Sequence, residues 1–356
     1  MLYLGLLVIF GLSCFSTPTI SIPPPTFDGS GQIYRFKRII GGYPVNKGTY
    51  PWVVSVQAQR HRGLSAIFRQ NHQHYCGAAL IAPNWVLTAA HCLYGTDDNE
   101  NLISYLHPKM WHVRLASDKL KPSVTERVKG VFNRVFNSVF GYVKLQPYYH
   151  VQQIFHHPKY VHGKLNNLNV ELLEPPTLSR ISHLEYDIAL FQLKEEPVLR
   201  RINNLALIQL PDPQAELNWP AAGQTCTAVG WGCSFVDGPP TMKSQAIELP
   251  VLSPQVCQKM YSAYINLTTS HEFCAGYYNG NKGICPGDSG GPLVCQAEDG
   301  QLKLAGIVSA THSKQPADYP AVFTRVSYFT EWIEAVMRKH PPKMPDNPLS
   351  ILHIKN

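Results

Sequence analysis

Apolar and polar residues alternate like a strand from Tyr50 to Gln57, and the largely apolar Cys76 to Ala90 supplies another strand pair. Successive side chains of a strand point to opposite faces, so this pattern predicts strands with a buried side. Trp111 to Leu115 reads the same way, and Cys226 to Gly232, Cys257 to Gly276 and Leu304 to Ser309 read as further strands and their connections. The period changes in two places. Val124, Val128, Val131, Phe132, Val135, Phe136, Val139 and Phe140 recur at three- and four-residue steps, which predicts an amphipathic helix. Phe329, Trp332, Ile333, Val336 and Met337 follow the same spacing and predict a closing helix, ended by Pro341-Pro342.

At 356 residues the chain can hold one or two domains and bury a sizeable core. Its formal charge of +7 could favour an anionic partner but is also common in plain secreted proteins, the preferred reading. Met1 to Ser16 is apolar, short for a membrane span, and carries small residues at Cys14 and Ser16 where a signal peptidase reads. It lacks a Lys or Arg at its start; the Pro-rich sequence directly after it favours a cleaved signal peptide over a membrane anchor. Residues 17–38 are rich in Pro and Gly with no cysteine and read as a mobile pro-segment. Secretion permits disulfides, and of nine cysteines only Cys14 falls in the leader.

The candidate chemistry begins at Gly287-Asp288-Ser289-Gly290-Gly291-Pro292. Glycines crowd this serine, as they do where backbone must approach a substrate without side-chain obstruction. The same residue types also build plain surface turns, so the stretch alone leaves both readings open. Two others tip the balance. Thr88-Ala89-Ala90-His91-Cys92 places a histidine after an apolar strand, and Tyr186-Asp187-Ile188-Ala189-Leu190 places a lone acid at the head of another. A serine hydroxyl needs a neutral imidazole to take its proton, and the imidazolium that forms needs a carboxylate. With His91, Asp187 and Ser289 in that order, residues 39 to about 340 resemble the chymotrypsin-like, trypsin-fold (S1) serine proteases.

The resemblance implies an all-β domain over 39–340, two packed six-stranded antiparallel β-barrels with a C-terminal helix, followed by a tail over 341–356. It gives His91 the role of base, Asp187 that of its orienting acid and Ser289 that of nucleophile, with the N–H groups of Gly287 and Ser289 as oxyanion donors. It also implies a zymogen. Cleavage after Arg38 would free the amine of Ile39, in Ile39-Ile40-Gly41-Gly42, to pair with buried Asp288. Arg38 alone suits a trypsin-like activator; Arg35-x-Lys37-Arg38 also suits a proprotein convertase. By the same resemblance Cys76 pairs with Cys92, Cys226 with Cys295 and Cys257 with Cys274. Residues 311–320 lack the cysteine that the family usually ties to the one at 285, which leaves a Cys233–Cys285 bond conceivable.

Specificity in the family comes from a pocket whose floor, six residues before the nucleophile, is acidic in trypsin-like members. Here it is Gly283, with Ile284, Ser309, Thr311 and Ala321 on the pocket walls, which implies an elastase-like preference for small or medium apolar residues before the cut. Asp318 is the acid that could turn inward, and Pro286 and the unusual cysteines could strain the oxyanion region and silence the enzyme.

Arg60, His61, Arg62, Arg69, His72 and His74 read as a solvated loop, with no defensible zinc spacing. The interval of 96 positions from His91 to Asp187 accommodates two enlargements, 118–150 and 161–186. The first, basic and poor in carboxylates, reads as a helix packed on the barrel, an exosite for an anionic partner or a membrane-surface helix, and argues against a calcium site. The second would overhang the cleft. Asn266-Leu267-Thr268 is a glycosylation sequon. The implied protein is a secreted monomer acting on polypeptides, with no cofactor, metal or nucleic acid. The rival is a protease-fold binding protein whose basic insertions engage an acidic partner.

Overall fold

The computed structural model describes residues 39–59, 72–96, 102–115, 117–123, 148–160, 185–194, 206–213, 219–235, 238–261, 267, 270–312 and 315–341. The leader, the pro-segment with Arg38, loop 60–71, most of the two enlargements, Asn266 and the tail from 342 lie outside the described residues.

β1 (Tyr43–Pro44) leads into β2 (Val53–Gln59), β3 (His72–Ala82) and β4 (Trp85–Thr88), of which the last three are antiparallel neighbours. The short hairpin β5 (Tyr94–Thr96) and β6 (Leu102–Ser104) stands apart, and β7 (Trp111–Arg114), β8 (Tyr149–His156) and β9 (Ala189–Leu193) close a six-stranded barrel in the order β2-β3-β4-β9-β8-β7. Val54, Val56, Leu80, Leu87, Trp111, Leu190 and Phe191 fill it. The polar half of the β2 alternation is buried as well. Ser55 bonds His74 at 2.8 Å, and Gln57 Nε2 donates to the Leu120 carbonyl at 2.9 Å, so both side chains find partners in the interior, although Gln57 Oε1 has none among the described residues.

β10 (Thr225–Gly230), β11 (Gln245–Pro250), β12 (Glu272–Ala275), β13 (Pro292–Gln296), β14 (Leu302–Ala310) and β15 (Ala321–Arg325) form the second half, in the order β1-β11-β10-β13-β14-β15-β12. Its ends meet at one bridge, Val251 to Ala275. Leu252 N–H to Cys274 O and Gly276 N–H to Pro250 O, both 2.9 Å, reinforce it. Six strands thus curl into a barrel that closes through a point contact, with β1 lapped on as a seventh.

The helix Val326–Lys339 buries Phe329 and Ile333 and packs Trp332, Val336 and Met337 against the first barrel's core, on the predicted stripe. Arg338 and Lys339 in its last turn face the free carbonyl end. The four disulfides are Cys76–Cys92, Cys226–Cys295, Cys257–Cys274 and Cys233–Cys285, with Cα separations of 6.3, 4.5, 5.6 and 5.4 Å, all within bridging range.

Phe191 is fully buried with its ring centroid 5.8 Å from that of Trp111. Phe191→Ala should destabilise the protein by about 3–5 kcal/mol through lost burial and the cavity left behind, read by urea unfolding; a cost under about 1 kcal/mol would show that the ring is not a core element.

Candidate active site

Asp187 enters the site from the head of β9 and His91 from a single 3-10 turn, Ala90–Leu93, that follows β4. Because β4 and β9 pair with Thr88 opposite Ala189, the two residues come together across adjacent strand ends. His91 Nδ1 lies 2.7 Å from Asp187 Oδ2, and the His91 backbone N–H donates to Oδ1 at 2.8 Å. Ser309 Oγ, from β14, donates to Oδ2 at 2.6 Å, and Thr324 Oγ1, from β15, donates to the Asp187 carbonyl at 2.9 Å. The carboxylate is 1% exposed and the imidazole 29%. Burial opposes ionisation of Asp187, but His91 and Ser309 outweigh it and hold the carboxyl below its usual range. Burial likewise opposes charging of His91, and the Asp187 carboxylate overrides it, raising the imidazole above its ordinary value.

Behind Asp187, Tyr186 adopts a left-handed backbone, φ 62°, that few non-glycine residues tolerate. Its ring stacks on His157 at 4.7 Å and 15° and lies 4.7 Å from His271. This support drew no attention in sequence, because its members are scattered along the chain.

Ser289 sits where the two barrels meet. Its carbonyl accepts from Gly77 N–H of β3 at 2.7 Å, while Gly290 N–H donates to Val308 O of β14 at 2.8 Å. A Cβ on Gly290 would collide with Thr88 Oγ1 and lie 3.2 Å from Ala89 N, so glycine is needed for the serine segment to lie against the turn that carries His91. Ser289 Oγ makes no hydrogen bond to His91 among the described contacts; such bonds often tighten only when substrate arrives.

The stretch before the serine is a tight turn closed by Asp288 N–H to Cys285 O at 3.0 Å. Pro286 occupies its second position and Gly287, φ +98°, its third, the placement a type II turn favours. Pro286 therefore fits the turn instead of straining it. Neither the Gly287 nor the Ser289 N–H has a partner among the described residues. Asp288 is buried and accepts from Gly232 N–H at 2.7 Å and Cys285 N–H at 3.1 Å; burial pushes its carboxyl up to about 7.

One expectation is corrected here. His74 is not part of a solvated loop: it is a buried residue of β3, its Nδ1 2.8 Å from Ser55 Oγ and its Nε2 2.8 Å from the Gly287 carbonyl. The carbonyl can only accept, so Nε2 carries the proton and Nδ1 accepts from Ser55. Burial lowers its pKa to about 4. Its polar neighbours, Gln73 and Tyr75, hid it: alternation on β3 turns His74 inward while they are exposed.

A family model described as Trypsin matches residues 39–333. The chain belongs to the trypsin family of serine proteases. It is 31% identical over 304 residues to transmembrane protease serine 9 of Rattus norvegicus, which covers 85% of this chain and 22% of that one. It is 29% identical over 296 residues to trypsin of Squalus acanthias, covering 83% and 94%, and 29% over 333 residues to atrial natriuretic peptide-converting enzyme of Homo sapiens, covering 92% and 25%. The chain thus spans about a fifth to a quarter of the two large relatives and nearly all of the short one.

Within this trypsin-family chain the segment around Gly283 is closely filled. Its N–H donates to Ile40 O at 3.0 Å, and any Cβ there would run into the Pro316 carbonyl. Ile284 and Ala321 are buried in one apolar cluster with Ile39, and Thr311 Oγ1 donates to Ile284 O at 3.2 Å. Asp318 lies near His312, whose buried ring stacks on Tyr319 at 4.3 Å. The metal-ligating atoms of Cys76, His91 and Cys92 lie close together, but the two sulfurs are joined to each other.

Loss of the Ser309 hydroxyl takes one donor from the Asp187 carboxylate and makes it a stronger partner for His91. Ser309→Ala should therefore move the His91 titration to higher pH, read by NMR of the imidazole; an unchanged or lower value would sever the link between Ser309 and His91.

Proposed function

We propose that this chain is a secreted serine endopeptidase, made as a zymogen and activated by cleavage after Arg38. The pairing of His91 with Asp187 carries the reading. A carboxylate only accepts, so Nδ1 holds the proton and the Nε2 lone pair is free to take one from Ser289. Ser289 Oγ attacks the carbonyl carbon of the scissile peptide while its proton passes to Nε2, and the carbonyl electron pair moves onto oxygen. That oxygen meets the unpartnered Gly287 and Ser289 N–H groups, each worth about 3–4 kcal/mol to the developing charge. Collapse of the intermediate expels the amine, which takes the proton from Nε2. Water then repeats the sequence on the acyl ester, and Asp187 stabilises the imidazolium both times.

Activation follows from Asp288. Burial, only partly offset by its two N–H donors, pushes its carboxyl up to about 7. An ammonium on Ile39, whose side chain is buried, would draw the group back to its ionised form and fix the turn before Ser289. Four disulfides suit the oxidising path of a secreted protein, and no described helix is long and apolar enough to cross a membrane. We assign polypeptide substrates, a trypsin-like or convertase activator and a monomeric state; an anionic partner would engage the basic insertion, most of which lies outside the described residues.

For specificity, Gly283 offers no counter-charge, and Ile284, Thr311 and Ala321 narrow the space, so small or medium apolar residues should precede the cut. Protein cleaved at Arg38 should turn over Ala and Val peptide anilides at least tenfold better in kcat/KM than Arg ones, since burying an unpaired guanidinium is costly; a preference for Arg would overturn the pocket assignment while leaving the triad intact. The same protein should lose activity on acidification as His91 protonates, with the midpoint above the ordinary imidazole value of about 6.5 because its pKa is raised. Full activity at pH 5 would rule out His91 as the base.

A further inference from the structure

We propose that the Cys233–Cys285 disulfide is a positioning device for the oxyanion turn, in the place of the tie to residues 311–320 that this chain lacks. This deepens the proposed function and rests on its reading of Gly287 and Ser289 as the oxyanion donors. The two N–H groups that hold the buried Asp288 carboxylate belong to Gly232 and Cys285. The disulfide joins Cys285 itself to the residue that follows Gly232, with a Cα separation of 5.4 Å, so it spans the carboxylate from one donor segment to the other. Both cysteines are 1% exposed.

From the opposite side His74 Nε2–H fixes the Gly287 carbonyl at 2.8 Å. Only Pro286 and Gly287 lie between these anchors. Proline has a fixed φ, so the remaining freedom lies in ψ of Pro286 and in Gly287, which enters both halves of φ space easily. Rotation of the Pro286–Gly287 peptide converts a type II turn into a type I turn, both of which accept Pro in the second position. That rotation turns the Gly287 N–H away from the oxyanion. The disulfide opposes it by holding Cys285, the first residue of the turn, against the Trp231–Cys233 segment. Further along the loop that begins there, Pro240 Cγ lies 3.9 Å from where a Cβ on Gly287 would stand.

The test compares cleaved wild type with C233S/C285S and with C257S/C274S, which removes a disulfide between the helix Pro254–Tyr261 and β12. Three quantities are read: the rate of Ser289 labelling by diisopropyl fluorophosphate, kcat against KM on an Ala-Ala-Pro-Val p-nitroanilide, and cooperative thermal unfolding. C233S/C285S should label roughly 10- to 100-fold more slowly, as for a misplaced oxyanion donor, with kcat reduced and KM within about twofold of wild type. C257S/C274S should lose thermal stability yet label at the wild-type rate. Should the serine pair fail to unfold cooperatively, C233A/C285V, which refills the apolar space, is read in its place. Labelling of the Cys233/Cys285 variant at the wild-type rate, or equal slowing of both double variants, would overturn the positioning role. Failure of wild type itself to label would instead overturn the underlying serine protease reading.

Discussion

The Asp187 carboxylate, almost wholly withdrawn from water, is the group on which the arrangement depends. A buried, unpaired carboxylate is costly, so it must collect donors, and the two halves of the molecule supply them. His91 contributes its backbone and ring N–H groups from the first barrel; Ser309 contributes a hydroxyl from the second, while Thr324 binds the main-chain carbonyl from β15. Only when both barrels are docked is the charge satisfied. Docking of the barrels therefore completes the donor set of an acid–imidazole pair that β4 and β9 already bring together.

Ser289 obeys the same logic through its backbone. Gly77 of β3 grips the serine carbonyl and Val308 of β14 grips the next residue, so the hydroxyl stands on a seam that neither barrel defines alone. The closeness of these segments explains the glycines: at Gly290 a side chain would occupy the space of Thr88. The geometry of this seam is thus set by small residues and cross-barrel hydrogen bonds.

Much of this was legible beforehand. Strand alternation located β2, β3 and β4, the three-and-four spacing located the C-terminal helix, and the residue types around His91, Asp187 and Ser289 pointed to a single chemistry. Support contacts were harder to read. His74 looked polar among polar neighbours, and only the pairing of β3 with β2 reveals that it faces inward toward Gly287. Pro286 looked like a source of strain until the positive φ of Gly287 identified the turn it fits. The packing of His157 and His271 around Tyr186 joins residues far apart in sequence, which no local pattern encodes. The closure of the second barrel by a single bridge was equally invisible, since its pairing follows β11 rather than forming part of its alternating run.

Two imidazoles flank the Cys76–Cys92 disulfide, and their environments set them to opposite duties. His91 gains affinity for a proton from its neighbour, whereas His74, enclosed and bonded to neutral groups, refuses one down to about pH 4. On acidification the first would charge, while the second kept its grip on the glycine carbonyl. The proton that loads one imidazole therefore leaves the other's hold on the serine turn untouched.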